Sequence, residues 1–100
     1  MFDIRQTETF ARWLNALSDK RAVQKIAQRL IRVQSGLFGD VKSVGDGVSE
    51  LRIDYGPVYR VYFTKRGRLI IVLLCGGDKQ SQKHDISQAK SLARLVELER

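Results

Sequence analysis

Apolar positions in this chain recur first at helical spacing and then in strict alternation. Residues 2–6 read as a short opening strand. Phe10, Trp13, Leu14 and Leu17 fall at i, i+3, i+4 and i+7, which predicts a helix over residues 8–17. Thr7 is placed to cap it. Ser18-Asp19 breaks the chain and offers a cap for a second helix over Lys20 to Gln34. Its predicted buried stripe is Val23, Ile26, Ala27 and Leu30, extended by Val33. Gly36 suits the position that ends it.

After Gly39 the period changes. Residues 41–45 fit either a strand or irregular chain. Residues 49–54 alternate, with Leu51 and Ile53 on one side and Glu50, Arg52 and Asp54 on the other. Tyr55-Gly56-Pro57-Val58 reads as a turn. Residues 59–65 alternate again, setting Tyr59, Val61 and Phe63 against Arg60, Tyr62 and Thr64. Lys65-Arg66-Gly67-Arg68 closes a hairpin. Leu69 to Leu74 is apolar throughout and predicts an inner strand covered on both faces. Gly76-Gly77 is expected to let the chain leave that strand sharply. Asp85-Ile86-Ser87-Gln88 has capping-box spacing for a last helix, whose apolar face is Ile86, Ala89, Leu92, Ala93 and Val96. The order β-α-α-β-β-β-β-α predicts a single α+β domain. Two N-terminal helices and a C-terminal helix pack on a small, twisted, mainly antiparallel sheet.

Composition adds a partner class. Lys and Arg total 18 against 11 acidic residues, a net +7, which favours anionic partners such as nucleic acid or an acidic protein. The second helix shows the same bias: Arg21, Lys25, Arg29 and Arg32 lie on its polar face. That pattern fits a solvated face as well as a basic ridge for RNA. The lone Cys75 has no internal disulfide partner. With no signal peptide and no apolar run long enough to span a bilayer, a reducing cytoplasm is expected.

Candidate chemistry narrows by elimination. Gly76-Gly77-Asp78-Lys79 lacks the pattern of a phosphate-binding loop. One His and one Cys make no zinc site, and no metal or cofactor is expected. The cations Lys42, Arg52, Arg60 and Lys79 remain, with Glu50, Asp78 and His84 as groups able to move a proton. Metal-free RNA cleavage needs such a set. A base takes the 2′-OH proton, cations stabilise the phosphorane, and an acid protonates the departing 5′-oxygen. Tyr62, on the Arg60 side, is a candidate base-stacking ring. Each residue also has a structural reading; Arg52, between Glu50 and Asp54, fits a salt bridge.

Glu50-Leu51-Arg52, the run Gly56 to Phe63, Leu73 to Lys79, and Gln82 to Ile86 with Ala89 together resemble the RelE/ParE toxin superfamily, in its HigB-like branch of addiction-module killer proteins. The resemblance covers essentially the whole chain. It implies a RelE-like fold and the toxin of a type II toxin–antitoxin pair. The activity implied is ribosome-dependent, metal-independent cleavage of mRNA. A helix-turn-helix antitoxin would be the partner, with a monomer alone and a hetero-oligomer in the complex. Arg52 and Arg60 match the family's basic residues on adjacent strands, and Lys79 its basic residue after the last strand. Glu50 is then a candidate base and His84 a candidate acid. Lys42, Tyr62 and the basic helix are candidates for holding RNA. The tyrosine that RelE-like nucleases carry before the last helix is absent; His84-Asp85 occupies that region. ParE relatives, which act on DNA gyrase, and a binding-only protein are the alternatives.

Overall fold

The computed structural model describes residues 1–98. Its elements are β1 (Asp3–Gln6), α1 (Glu8–Ala16), α2 (Lys20–Gln34), β2 (Val41–Gly45), β3 (Val48–Ile53), β4 (Tyr59–Arg66), β5 (Ile70–Gly77) and α3 (Gln82–Leu98). The predicted order is the observed one, and the segment at 41–45 is a strand.

The sheet runs β1-β5-β4-β3-β2. Its four later strands form an antiparallel meander, and β1 lies parallel to β5 at one edge. A parallel neighbour requires a crossover, and α1 with α2 supplies part of it. Both helices cover one face. There Phe10, Ile26 and Val33 pack on Leu51, Ile53, Val61, Phe63, Ile71 and Leu73. The other face carries Val48, Tyr62, Val72, Leu74 and Cys75 beneath Ala89 of α3, flanked by Ile86, Leu92, Ala93 and Val96. Residues 71–77 are buried throughout, so the inner strand expected from Leu69 to Leu74 is covered on both faces from Ile71 onward, while Leu69 lies exposed in the preceding turn.

The caps follow the sequence at the first two helices. Thr7 Oγ1 accepts from Phe10 N, and Asp19 accepts from Arg21 N and Ala22 N. Gly36, at φ 88°, ends α2 in the left-handed region that glycine tolerates. Three expectations are corrected. On α2, Ala22 is buried with Ile26 and Val33, whereas Ala27 is exposed. The stripe is turned slightly from the one the spacing favours. Asp85 caps nothing: α3 starts at Gln82, one turn earlier, because Asp78 and Ser81 close the preceding turn. Asp78 N donates to Ser81 Oγ at 3.3 Å, and Ser81 N donates to Asp78 Oδ1 at 3.1 Å. Gly76 and Gly77 lie inside β5 rather than releasing it. A Cβ on Gly76 would enter the Trp13 ring, and one on Gly77 would enter the Asp85 carboxylate. Both positions need space, and neither uses a positive φ. No helix among the described residues is long and apolar enough to cross a membrane.

Candidate functional site

Strand register assembles the predicted residues. Lys42, Glu50 and Tyr62 are successive Cα partners across β2, β3 and β4. Arg52 and Arg60 are partners in the next such row, which β5 continues with Gly77. Residues directly opposite on antiparallel strands project from the same face. Lys42, Glu50, Arg52, Arg60 and Tyr62 therefore share the face that α3 covers in part. Lys79 and His84 flank it on the turn into α3 and in that helix's first turn, and both are exposed.

The face divides into an open rim and a closed floor. Arg52 belongs to the rim. Its side chain is 44% exposed, and its Nε donates to Asp40 Oδ2 at 3.1 Å. Asp40, just before β2, replaces the expected partners Glu50 and Asp54. Arg60 belongs to the floor and is 4% exposed. Its Nη1 donates to Val58 O at 2.9 Å, while its Nε stands 3.6 Å from Glu50 Oε2 without completing a hydrogen bond. Val58 adopts φ 57°, a left-handed conformation that is uncommon for a β-branched residue. That strained turn presents the carbonyl to which Arg60 donates.

Glu50 is fully buried. Its Oε2 accepts from Tyr62 Oη at 3.0 Å and from Gln82 Nε2 at 2.8 Å, whereas Oε1 has no hydrogen-bond partner among the described residues. Burial, and then the hydrogen bond to Glu50, push the Tyr62 phenol far above its ordinary range. The phenol therefore remains a donor to the carboxylate. A buried guanidinium and a buried carboxylate each make the other tolerable; removing either leaves an unpaired charge.

Two roles expected from the sequence do not fit this geometry. Tyr62 is 0% exposed beneath α3 and has no ring face free for a base. Glu50, equally enclosed, cannot reach a 2′-OH in this arrangement; its Oε2 instead stands 3.6 Å from Arg60 Nε. The sequence reading missed Gln82, Asp40 and Val58. Gln82 entered only as the first residue of the segment Gln82 to Ile86 that carries the resemblance, because the start of α3 was placed too late.

On the opposite face of the sheet, Arg21, Lys25 and Arg32 are exposed on α2. Arg29 departs from the predicted ridge. Its two terminal nitrogens donate to Arg52 O and, at 2.8 Å, to Phe38 O. Desolvation is the main cause that lowers its pKa. Arg29 thus ties α2 to the end of β3. Beside it, a groove of about 570 Å³ is lined by Lys25, Gln28, Arg29, Ile31, Arg32, Ile53 and Asp54. No cluster of three or more His, Cys, Asp or Glu with metal-binding spacing occurs among the described residues.

The chain is thus a small α+β domain with cations gathered on one sheet face. The chain belongs to the family described as Phage derived protein Gp49-like (DUF891), whose model matches residues 12–95; this is a toxin-like family related to RelE- and HigB-type toxins. The match includes Lys42, Glu50, Arg52, Arg60, Lys79 and His84. The chain is also similar to a protein of Haemophilus influenzae (strain ATCC 51907 / DSM 11121 / KW20 / Rd) described as uncharacterized. The two are 53% identical over 95 residues, which cover 95% of this chain and 96% of that one.

Proposed function

We propose that this chain is the toxin of a type II toxin–antitoxin pair in the cytoplasm, and that it is a ribosome-dependent mRNA endoribonuclease needing no metal. The observation that carries the reading is the Arg52–Arg60 pair. Two guanidinium groups directly opposite on neighbouring strands repel, and such pairs reduce sheet stability. Each is offset by its own carboxylate, Asp40 or Glu50. Retaining both cations at a cost to the sheet is understandable if Arg52 meets a phosphate, for which guanidinium is the better-matched donor, and Arg60 adds positive potential beneath it.

In this reading Arg52, Lys42 and Lys79 hold the RNA backbone from the rim. Arg60, buried beneath them, adds positive potential under the scissile phosphate without touching it, and Glu50 with Gln82 keeps Arg60 in place. Attack by the 2′-oxygen would leave a cyclic phosphate and a free 5′-hydroxyl. In this reading His84, the exposed imidazole beside this face, gives a proton to the departing 5′-oxygen while solvent takes the one from the 2′-OH. The exposed cations of α2 would lie against ribosomal RNA, and a helix-turn-helix antitoxin would neutralise the chain as a hetero-oligomer.

The burial of Arg60 also favours a second reading, a ParE-like toxin that acts on DNA gyrase without cleaving RNA. Induction in cells lacking the antitoxin tests both. The nuclease reading predicts growth arrest that Arg52→Ala relieves, with wild-type levels of folded variant by circular dichroism. Arrest with DNA damage and intact mRNA supports the gyrase reading. No arrest at all contradicts both.

A further inference from the structure

Exposed apolar side chains gather at one end of this molecule. Met1, Leu37 and Leu69 are 87%, 64% and 62% exposed. They lie where the start of β1, the end of α2 and the β4–β5 turn meet. Phe2 N donates to Gln34 O at 2.8 Å and Asp3 N to Leu69 O at 2.6 Å, which ties the three together. Between them is a depression of about 90 Å³ lined by Met1, Phe2, Ser35, Gly36, Arg68 and Leu69. Leu37 follows Gly36 directly.

The floor of this depression is built. The Phe2 ring meets Phe38 edge-on at 5.7 Å, and Phe38 stacks on the core residue Phe63 at 5.8 Å. Lys65 Nζ sits 5.3 Å and 5.1 Å from the Phe2 and Phe38 centroids. Cation–π contact of this kind holds both the ammonium and the rings. The rim is basic, with Arg68 in the lining and Lys65 beside it. Asp3, on the adjoining strand, is held by Arg5 at 3.1 Å.

We propose that this end is a docking surface for a partner protein that seats one aliphatic side chain, flanked by acidic residues, in the depression. Size sets the first part: the space takes one branched aliphatic side chain, and burying it contributes favourable apolar area. Charge sets the second, because Arg68 lines the depression, Lys65 sits against the Phe2 ring that also lines it, and no carboxylate does. A second copy of this chain is disfavoured, since a symmetric contact would bring those cations against their own equivalents in a +7 protein. Nucleic acid is disfavoured because the two aromatic rings are already occupied by one another and by Lys65. The proposal stands apart from the chemistry of the Arg52–Arg60 face and does not depend on it.

The probe is a synthetic peptide with one leucine between glutamates, compared with its alanine version, titrated into ¹⁵N-labelled full-length protein. The leucine peptide is expected to shift the amides of Phe2, Gly36 and Leu69 saturably. Replacing its leucine by alanine, or using the Leu69→Asp or Arg68→Glu protein, should weaken binding by about tenfold or more. Both sites are exposed, so these variants should keep the wild-type spectrum elsewhere. The proposal is overturned if those amides do not move with the leucine peptide at millimolar concentration, or if the alanine peptide binds equally. Capture by phosphatidylserine vesicles that Leu69→Asp abolishes would replace it with a membrane surface. A dimer in sedimentation that Leu69→Asp dissolves would replace it with self-association.

Discussion

Arg52 and Arg60 are neighbours in the sheet with opposite energetic roles. Arg52 pairs with Asp40 in the open, where such pairs contribute little. Arg60 and Glu50 are enclosed together. Arg52→Ala is therefore expected to change stability by less than about 1 kcal/mol. Glu50→Ala, which strands a buried guanidinium, should cost about 3 kcal/mol or more. Urea unfolding of the two variants checks this directly, and equal costs would contradict the division into rim and floor. For the same reason Arg60→Ala is a poor test of chemistry, since it strands Glu50. Arg60→Lys keeps a charge beside the carboxylate and is the better variant.

Cys75 gives a second prediction at this scale. Burial pushes its thiol up to about 12 from an ordinary 9.0, with Asp85 adding to the shift. The folded chain therefore holds this proton more tightly than the unfolded chain does. The stability from this source is complete below about pH 9 and is lost as pH rises towards 12. Tyr62 shifts in the same direction. Native protein at pH 8 should thus resist an aromatic disulfide reagent until urea is added, and denaturation midpoints should fall above pH 9. Prompt labelling of the native thiol would contradict the burial.

At the scale of elements, the paired glycines of β5 are spacing devices. Gly76 admits Trp13 of α1 from one face, and Gly77 admits Asp85 of α3 from the other. Gly77→Ala or Gly76→Ala should each destabilise by about 1–3 kcal/mol through overpacking, read as a lowered thermal midpoint. An unchanged midpoint would mean the helices can retreat at no cost. Gly77 lies directly opposite Arg60 in the ladder, so moving α3 also disturbs the floor of the site. The sequence shows two glycines at a strand end but does not say whether they serve backbone freedom or space. That depends on which helices arrive there, and the expected use, backbone freedom to leave the strand, gave way to space once α1 and α3 were in place.

The elements themselves were legible because period and caps agreed. Helical spacing from Phe10 and the Asp19 cap marked α1 and α2, and alternation marked β3 and β4. The start of α3 was misplaced because Asp85 and Gln88 mimic a capping box while the true turn is closed by Asp78 and Ser81. Alternation also correctly put Glu50, Arg52, Arg60 and Tyr62 on one side. It could not say that three of the four are enclosed. The apolar stripe from Ile86 to Val96 needed a face, and α1 and α2 had already taken the other one. Followed through, that argument would have buried Tyr62 and Glu50.

At the scale of the whole molecule, a +7 domain presents cations on two sides of one sheet, joined at the end of β3 by Arg29. In the proposed reading, a ribosome carrying mRNA is the large anionic partner that meets both sides. The most direct test is primer extension on an mRNA translated in a reconstituted mixture, with and without the purified chain. The account predicts discrete new 5′ ends inside the reading frame. They should be absent with folded Arg52→Ala and absent when the mRNA is not being translated. Intact mRNA in the presence of folded wild-type protein, under conditions where it arrests growth in cells, would contradict it.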